Sequence, residues 1–279
     1  MIGAFFDIDG TLYRDSLMIE HFKKLIRYEV VDPAVWHSNT KKTFHDWDKR
    51  QGNYDDYLFE LSQIYVESMK GLNKDHVDFI SDQVIKLKGE RVYKFTRERI
   101  KWHHKQGHKV IFISGSPDFL VSKMAKKYGA TDYCGSKYLV DHNNAFTGEV
   151  IPMWDANSKQ EAIAKYVEKY DLDLSESFAY GDTHGDVTMF KAVGHPIAIN
   201  PARELLMDIK NNEELKKDIS KSVTTDVIRE MDFLFQAKER QEEEHFRKLD
   251  TLIRQQQANR KEAAREHPLG RLKNMFNHC

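Results

Sequence analysis

Residues 2–11, IGAFFDIDGT, set an apolar run directly against two aspartates, Asp7 and Asp9, followed by Gly10 and Thr11. The run IGAFFDI (2–8) reads as a strand buried on both faces, because a half-exposed strand would alternate apolar and polar residues. Runs of the same kind recur at HKVIFIS (108–114), SFAYG (177–181) and PIAIN (196–200), with helical patterns between the later ones. Short apolar strands alternating with helices predict an α/β fold built on a doubly wound parallel sheet. In such sheets ligands bind at the carboxyl ends of the strands. Each of the four runs ends there in polar or small residues: Asp7-Ile8-Asp9, Ser114-Gly115, Gly181-Asp182 and Asn200.

The interval after the first strand is too long for a loop. Residues 14–90 contain aromatic and charged helical stretches, YDDYLFELSQIYVESMKGL and DHVDFISDQVIKLKG among them, and predict an inserted α-helical cap. Residues 1–13 and 91–225 then form the core domain, with 91–106 returning as a helix that ends at Gly107. TDYCGSKYLVDHNNAFTGEVI reads as a strand pair turning near Asn143-Asn144. From Asp226 the texture becomes that of a polar helix former. Phe246, Leu249, Leu252 and Ile253 make a stripe too short for a coiled coil. Residues 226–279 therefore read as a solvated C-terminal helical arm, with partner docking or homo-oligomerisation through it as the alternative.

Lys and Arg number 43 against 44 Asp and Glu, a formal net charge of -1, which argues against a nucleic-acid partner. Two cysteines, Cys134 and Cys279, supply no disulfide framework and point to a reducing compartment. No apolar run approaches the roughly 20 residues needed to cross a bilayer, and no secretory signal is visible. The expectation is a cytoplasmic protein with no membrane contact.

Like charges as close as Asp7 and Asp9 need compensation. On an extended strand residues i and i+2 point the same way, so both carboxylates would face one site. A divalent cation would relieve the repulsion, and Mg²⁺ favours one or two carboxylates together with phosphate oxygens. Gly10 permits a tight turn at that point. The other strand ends supply complementary groups. Ser114 closes VIFIS, with Ser116 read as the N-cap of the next helix, Pro117 as its first residue and Gly129 just past its end. A small hydroxyl beside exposed N–H groups makes a phosphate seat. Asp182 and Asp186, in YGDTHGDVTMF, add two carboxylates, and Lys159, in NSKQEAI, opens a helix and offers a counter-charge to phosphate.

The set resembles the haloacid dehalogenase (HAD) superfamily, specifically its phosphoserine-phosphatase-like branch. DIDGT, FISGS, Lys159 and GDTHGD are similar to that family's four motifs in order, and VGHPIAINPARELL (193–206) is similar to a stretch that follows them. The resemblance spans roughly residues 2–206 and implies a Rossmann-like core. It implies that Asp7 attacks phosphorus to form an aspartyl-phosphate. Asp9 would act as general acid and then base. Mg²⁺ would be held by Asp7, the Asp9 carbonyl and Asp182, with Asp186 as a ligand through water or an orienting neighbour. Ser114, the Gly115 N–H and Lys159 would bind the phosphoryl oxygens. The implied substrate is a small phosphorylated metabolite. A phosphotransferase or mutase using the same intermediate, and a non-catalytic scaffold acting through the C-terminal helix, are the alternatives.

Two departures limit the likeness. Phosphoserine phosphatases carry Asn just before the last motif aspartate, where this chain has Gly185, leaving His184 or Thr183 as substitutes. The glutamate that reads the serine amine has no counterpart among Asp15, Ser16 and Glu20. Phosphoserine itself is not supported. His103, His104 and His108, and His142 with Asp141, read as solvated or core residues because no second ligand cluster accompanies them. Trp36, Trp47, Tyr54, Tyr57 and Tyr65 read as the core of the insertion, with lining of a substrate pocket closed by the cap as the alternative for some, and Arg14, Lys49 and Arg50 as weak candidates for reading a leaving group.

Overall fold

The computed structural model describes residues 1–32, 34–35, 54–154 and 156–211. Trp36, Trp47, Lys49, Arg50 and the arm read over 226–279 lie outside the described residues, as do the side chains of Tyr54 and Tyr57. Residues 1–224 cluster as one compact unit and 225–279 as another.

The run that opens the chain becomes β1 (Gly3–Phe6), buried at every position. It lies at the middle of a six-stranded sheet with β2 (Lys109–Pro117), β3 (Asp132–Val140), β4 (Phe146–Ile151), β5 (Phe178–Gly181) and β6 (His195–Ala198), in the order β4-β3-β2-β1-β5-β6. β1 pairs in parallel with both β2 and β5. The β3–β4 pair alone is antiparallel, turning where Asn144 takes a positive φ of 61°. The chain winds outward from β1 in one direction as far as β4, then crosses to β5 on its other side. That reversal beside β1 opens a crevice at the strands' carboxyl ends.

Alternation along β1 distributes the two faces. Phe5 joins Ile111, Ile113, Ala179, Ile163, Tyr166, Met189 and Phe190 in one apolar core, covered by α6 (Ala156–Tyr170) and α7 (Val187–Ala192). Phe6 faces the other way, stacked on Tyr180 at 4.2 Å and edge-on to His103 of α4 (Lys94–Gln106). α4 stops at Gly107, which adopts φ 75° and returns its N–H to the last carbonyls.

Between β1 and β2 run α1 (Leu17–Arg27), α2 (Tyr54–Met69) and α3 (Lys74–Lys88). Their aromatic interior is continuous with the β3–β4 hairpin and α5 (Asp118–Tyr128). Tyr65 packs edge-on against Phe22 and Tyr138, and its hydroxyl meets His21 Nδ1 at 2.8 Å. His21 also lies against Phe119. Burial keeps this histidine neutral, lowering its pKa to about 4.

Candidate active site

Three chain segments meet at the carboxyl end of β1. Asp7 follows the strand directly, its N–H bonded to the Tyr180 carbonyl of β5. Asp182 and Asp186 come from the turn after β5, and Lys159 reaches in from the first turn of α6. The Lys159 ammonium lies 3.2 Å from Asp7 Oδ1 and 2.6 Å from Asp186 Oδ1, and all three groups are buried. Carboxylate oxygens of Asp7, Asp182 and Asp186 fall within 4.8 Å of one another.

Each acid is held differently. Asp186 Oδ2 accepts the N–H groups of Asp182 and Thr183 and the Thr183 hydroxyl, at 3.0, 3.0 and 3.1 Å. With Oδ1 on Lys159, both its oxygens are engaged by protein donors, so it shapes its own loop. Asp182 Oδ1 accepts the Thr11 hydroxyl at 2.8 Å. Gly10 turns at φ 79° beside it, and any side chain there would collide with the Asp182 carboxylate. That is the physical requirement for glycine after the second aspartate.

Asp9 goes elsewhere. Its carboxylate accepts the Ser116 hydroxyl at 2.6 Å, the Leu17 N–H at 3.0 Å and the Ser16 hydroxyl at 3.3 Å. The extended run ends at Phe6 and the backbone has turned by Gly10; the Asp9 carboxylate lies outside the group of three, yet its charge still acts on Asp7. One sequence expectation is corrected here. Ser116 does not cap the following helix: β2 continues through Pro117, which takes the N-cap position, and the Ser116 hydroxyl is left to bond Asp9. The signal was present, since Ser114 and Ser116 are two apart on one strand. Ser16, N-cap of α1, and Thr11 were also not singled out as site residues.

Ser114 stands two residues beyond the Phe6–Phe112 register pair, and its oxygen accepts the Ser116 N–H at 3.3 Å. The Gly115 carbonyl accepts the buried Ser136 hydroxyl at 2.7 Å. The proposed stand-ins for the missing asparagine are committed elsewhere, Thr183 to Asp186 and His184 to Asp208. Arg14 donates from Nε to the Val92 carbonyl at 3.0 Å and lies 5.5 Å from the Tyr93 ring.

Burial pushes the Asp7 carboxyl up to about 8, with the charges of Asp186 and Asp9 adding to the rise and Lys159 opposing it. Burial, then Asp7 and Asp186, hold Asp182 well above the ordinary carboxylate range. Burial alone would depress the Lys159 ammonium, but Asp186 and Asp7 outweigh it and raise it. Asp9 rises to about 6 by burial, restrained by its bonds from Ser116, Leu17 and Ser16. Three clustered acids share one buried ammonium, so ionising all of them needs a further cation, and their hard oxygen donors suit Mg²⁺.

A family model described as haloacid dehalogenase-like hydrolase matches residues 4–191. The chain belongs to this family. Its relatives include phosphatases by name. Phosphoserine phosphatase SerB1 of Mycobacterium tuberculosis is 28% identical over 211 residues, 73% of this chain and 66% of that one. The histidinol-phosphatase of Neisseria meningitidis is 22% identical over 215 residues, 74% of this chain and 94% of that one. A solved substrate-bound phosphoserine phosphatase shares the fold, with a TM-score of 0.52 and 22% identity over 82% of this chain and 95% of that one. No helix among the described residues is long and apolar enough to cross a membrane.

Proposed function

We propose that this HAD hydrolase is a Mg²⁺-dependent phosphatase that cleaves a small phosphomonoester through an aspartyl-phosphate on Asp7. One observation carries the reading: two aspartates two residues apart are separated into a charged cluster with Lys159 and a hydrogen-bonded acid against Ser116. A nucleophile and a proton shuttle need that division.

Asp7 attacks phosphorus as the bond to the leaving oxygen breaks, and Asp9 gives that oxygen its proton. Water then attacks the phosphorus, Asp9 recovers a proton from it, and inorganic phosphate departs with Asp7 restored. An Asp9 carboxyl raised to about 6 can hold and release a proton near neutral pH. Lys159, Ser114 and the Gly115 N–H bind the phosphoryl oxygens. Asp7, Asp182 and the Asp9 carbonyl would hold Mg²⁺, with Asp186 acting through water or as an orienting neighbour. When bound, the ion neutralises charge at the phosphoryl group. Residues 14–90 serve as a helical cap on a core of 1–13 and 91–225. The bonds from Ser16 and Leu17 to Asp9 support this, since they root the first helix in the site. The relatives' names differ in substrate and share the class of small phosphomonoester.

The test is release of inorganic phosphate from a panel of small phosphomonoesters, with and without Mg²⁺, by the full chain and by Asp7→Asn. Release that needs both the ion and Asp7 is expected. No release from any of them, or release indifferent to Asp7, overturns the reading. Added alcohol acceptors separate hydrolysis from transfer.

A further inference from the structure

The segment joining β4 to α6 crosses the phosphate loop. Ser136 is fully buried and clamps the two together: its hydroxyl donates to the Gly115 carbonyl at 2.7 Å and accepts the Met153 N–H at 3.1 Å. The next residue, Trp154, is thereby pressed onto two glycines of the site. A Cβ at Gly115 would stand 3.1 Å from Trp154 Cβ, and one at Gly185 would stand 3.1 Å from the Trp154 carbonyl oxygen. Gly115 separates Ser114 from Ser116, whose hydroxyl holds Asp9. Trp154 is therefore seated by its Cβ on the loop that carries the phosphate seat and the shuttle's partner. Yet Trp154 is 43% exposed, and its ring meets no other aromatic ring or cation among the described residues.

What sets Trp154 apart from other exposed apolar residues is its seat against Gly115 and Gly185. Its face is free to stack on a flat ring, and its Nε1–H is a donor. With its Cβ and backbone fixed against Gly115 and Gly185, the residue stands within a side chain's reach of a leaving group that emerges past Gly115. We propose that Trp154 is a specificity-determining residue of this site and selects phosphomonoesters whose leaving group is an aromatic or heteroaromatic ring. The assignment rests on the phosphatase reading for what binds at Ser114 and Lys159, and adds which leaving group is favoured. The clamp ties the segment carrying Trp154 to the phosphate loop.

Non-hydrolysable probes separate the two claims. Phenylphosphonate and methylphosphonate are titrated calorimetrically, with Mg²⁺, into the full-length protein, Trp154→Ala and Trp154→Phe. The ring-bearing probe is expected to bind wild type about tenfold more tightly, in the upper range of an aromatic pair. The ratio should fall to about twofold in Trp154→Ala and return to about fivefold or more in Trp154→Phe. A wild-type ratio near one, a ratio unmoved by Trp154→Ala, or an equal loss of both affinities overturns the assignment, the last showing a structural role. Failure to bind either probe overturns this proposal and the phosphatase reading together. Ring-selective binding lost in Trp154→Ala without any phosphate release overturns the hydrolysis reading and upholds this one.

Discussion

Two buried polar clusters sit against the same sheet and resolve their burial in opposite ways. Under α4, His103 offers Nδ1 to His108 at 2.9 Å and Nε2 to the Tyr180 hydroxyl at 2.9 Å, and Arg99 donates to that same hydroxyl. Burial drives His103 down to about 3, so the ring is neutral and both nitrogens are matched inside the protein. At the carboxyl end of β1, three acids share one ammonium, and without a further cation burial drives Asp7 up to about 8 and holds Asp182 high, so protons rather than protein partners meet the mismatch. A buried network that closes on itself is architecture. One that stays out of balance is arranged around a ligand.

The sharpest way to break this contrast is to remove the imbalance. Asp7→Asn deletes one of three mutually repelling groups along with the proposed nucleophile. Phosphate release should fall by at least about 10³-fold, while the metal-free protein should unfold at the same temperature or higher. If Asp7→Asn instead lowers the metal-free unfolding temperature by several degrees, the acids are stabilising architecture and the comparison fails.

Removing the ammonium should do the reverse. Lys159→Ala leaves Asp7 and Asp186 buried without a counter-charge, a loss on the order of 3 kcal/mol. For a chain of this size that is roughly 6–12 °C of unfolding temperature. Added Mg²⁺ should recover part of the loss in this variant, measured by thermal unfolding with and without the ion. A neutral effect of Lys159→Ala would mean that the acids are already protonated and the imbalance is nominal.

The histidine side of the comparison is tested by acid. A folded pKa depressed below the unfolded value contributes stability that is present above about 6.5 and is lost as pH falls toward the folded value. His103, held near 3, and His21, held near 4, should each add a slope of up to about 1.4 kcal/mol per pH unit below pH 6.5. Denaturant midpoints between pH 7 and pH 4 read it directly. His21→Phe should flatten the curve in proportion, at some cost to the Tyr65 contact. An unchanged slope would show that His21 already titrates normally in the fold.

What could be read from the chain beforehand follows the same physics. β1 was legible because burial on both faces forbids polar residues, and Asp7, Asp182, Asp186 and Lys159 because each falls at a strand end or helix start. Asp9's separate environment was not, because alternation holds only while the backbone stays extended and Gly10 ends that. Ser116 was mistaken for a helix cap because a hydroxyl before proline fits both roles, and only the extra length of β2 decides between them. Trp154 lies in a stretch with no period, where its neighbours are set by the Ser136 clamp, a long-range contact that local pattern does not encode. The same holds for Tyr65 and His21, 44 residues apart.

The smallest expected effect sharpens the division between the two aspartates. Ser116 donates the shortest bond to Asp9 and, after burial, is the main influence on its carboxyl, holding it down. Ser116→Ala removes a charge-assisted donor and should raise the Asp9 pKa by about one unit. As general acid, Asp9 must carry its proton when the leaving group departs, so the limb of kcat/KM that falls with rising pH should move upward by the same amount. The plateau below that limb should drop only a few-fold, since the Leu17 N–H still orients the carboxylate, and at neutral pH the larger protonated fraction offsets this drop. The readout is the full pH profile of phosphate release for wild type and Ser116→Ala with one substrate at saturating Mg²⁺. A uniform loss at every pH, with no displacement of the limb, would mean that Ser116 holds the phosphate loop and leaves Asp9's protonation alone.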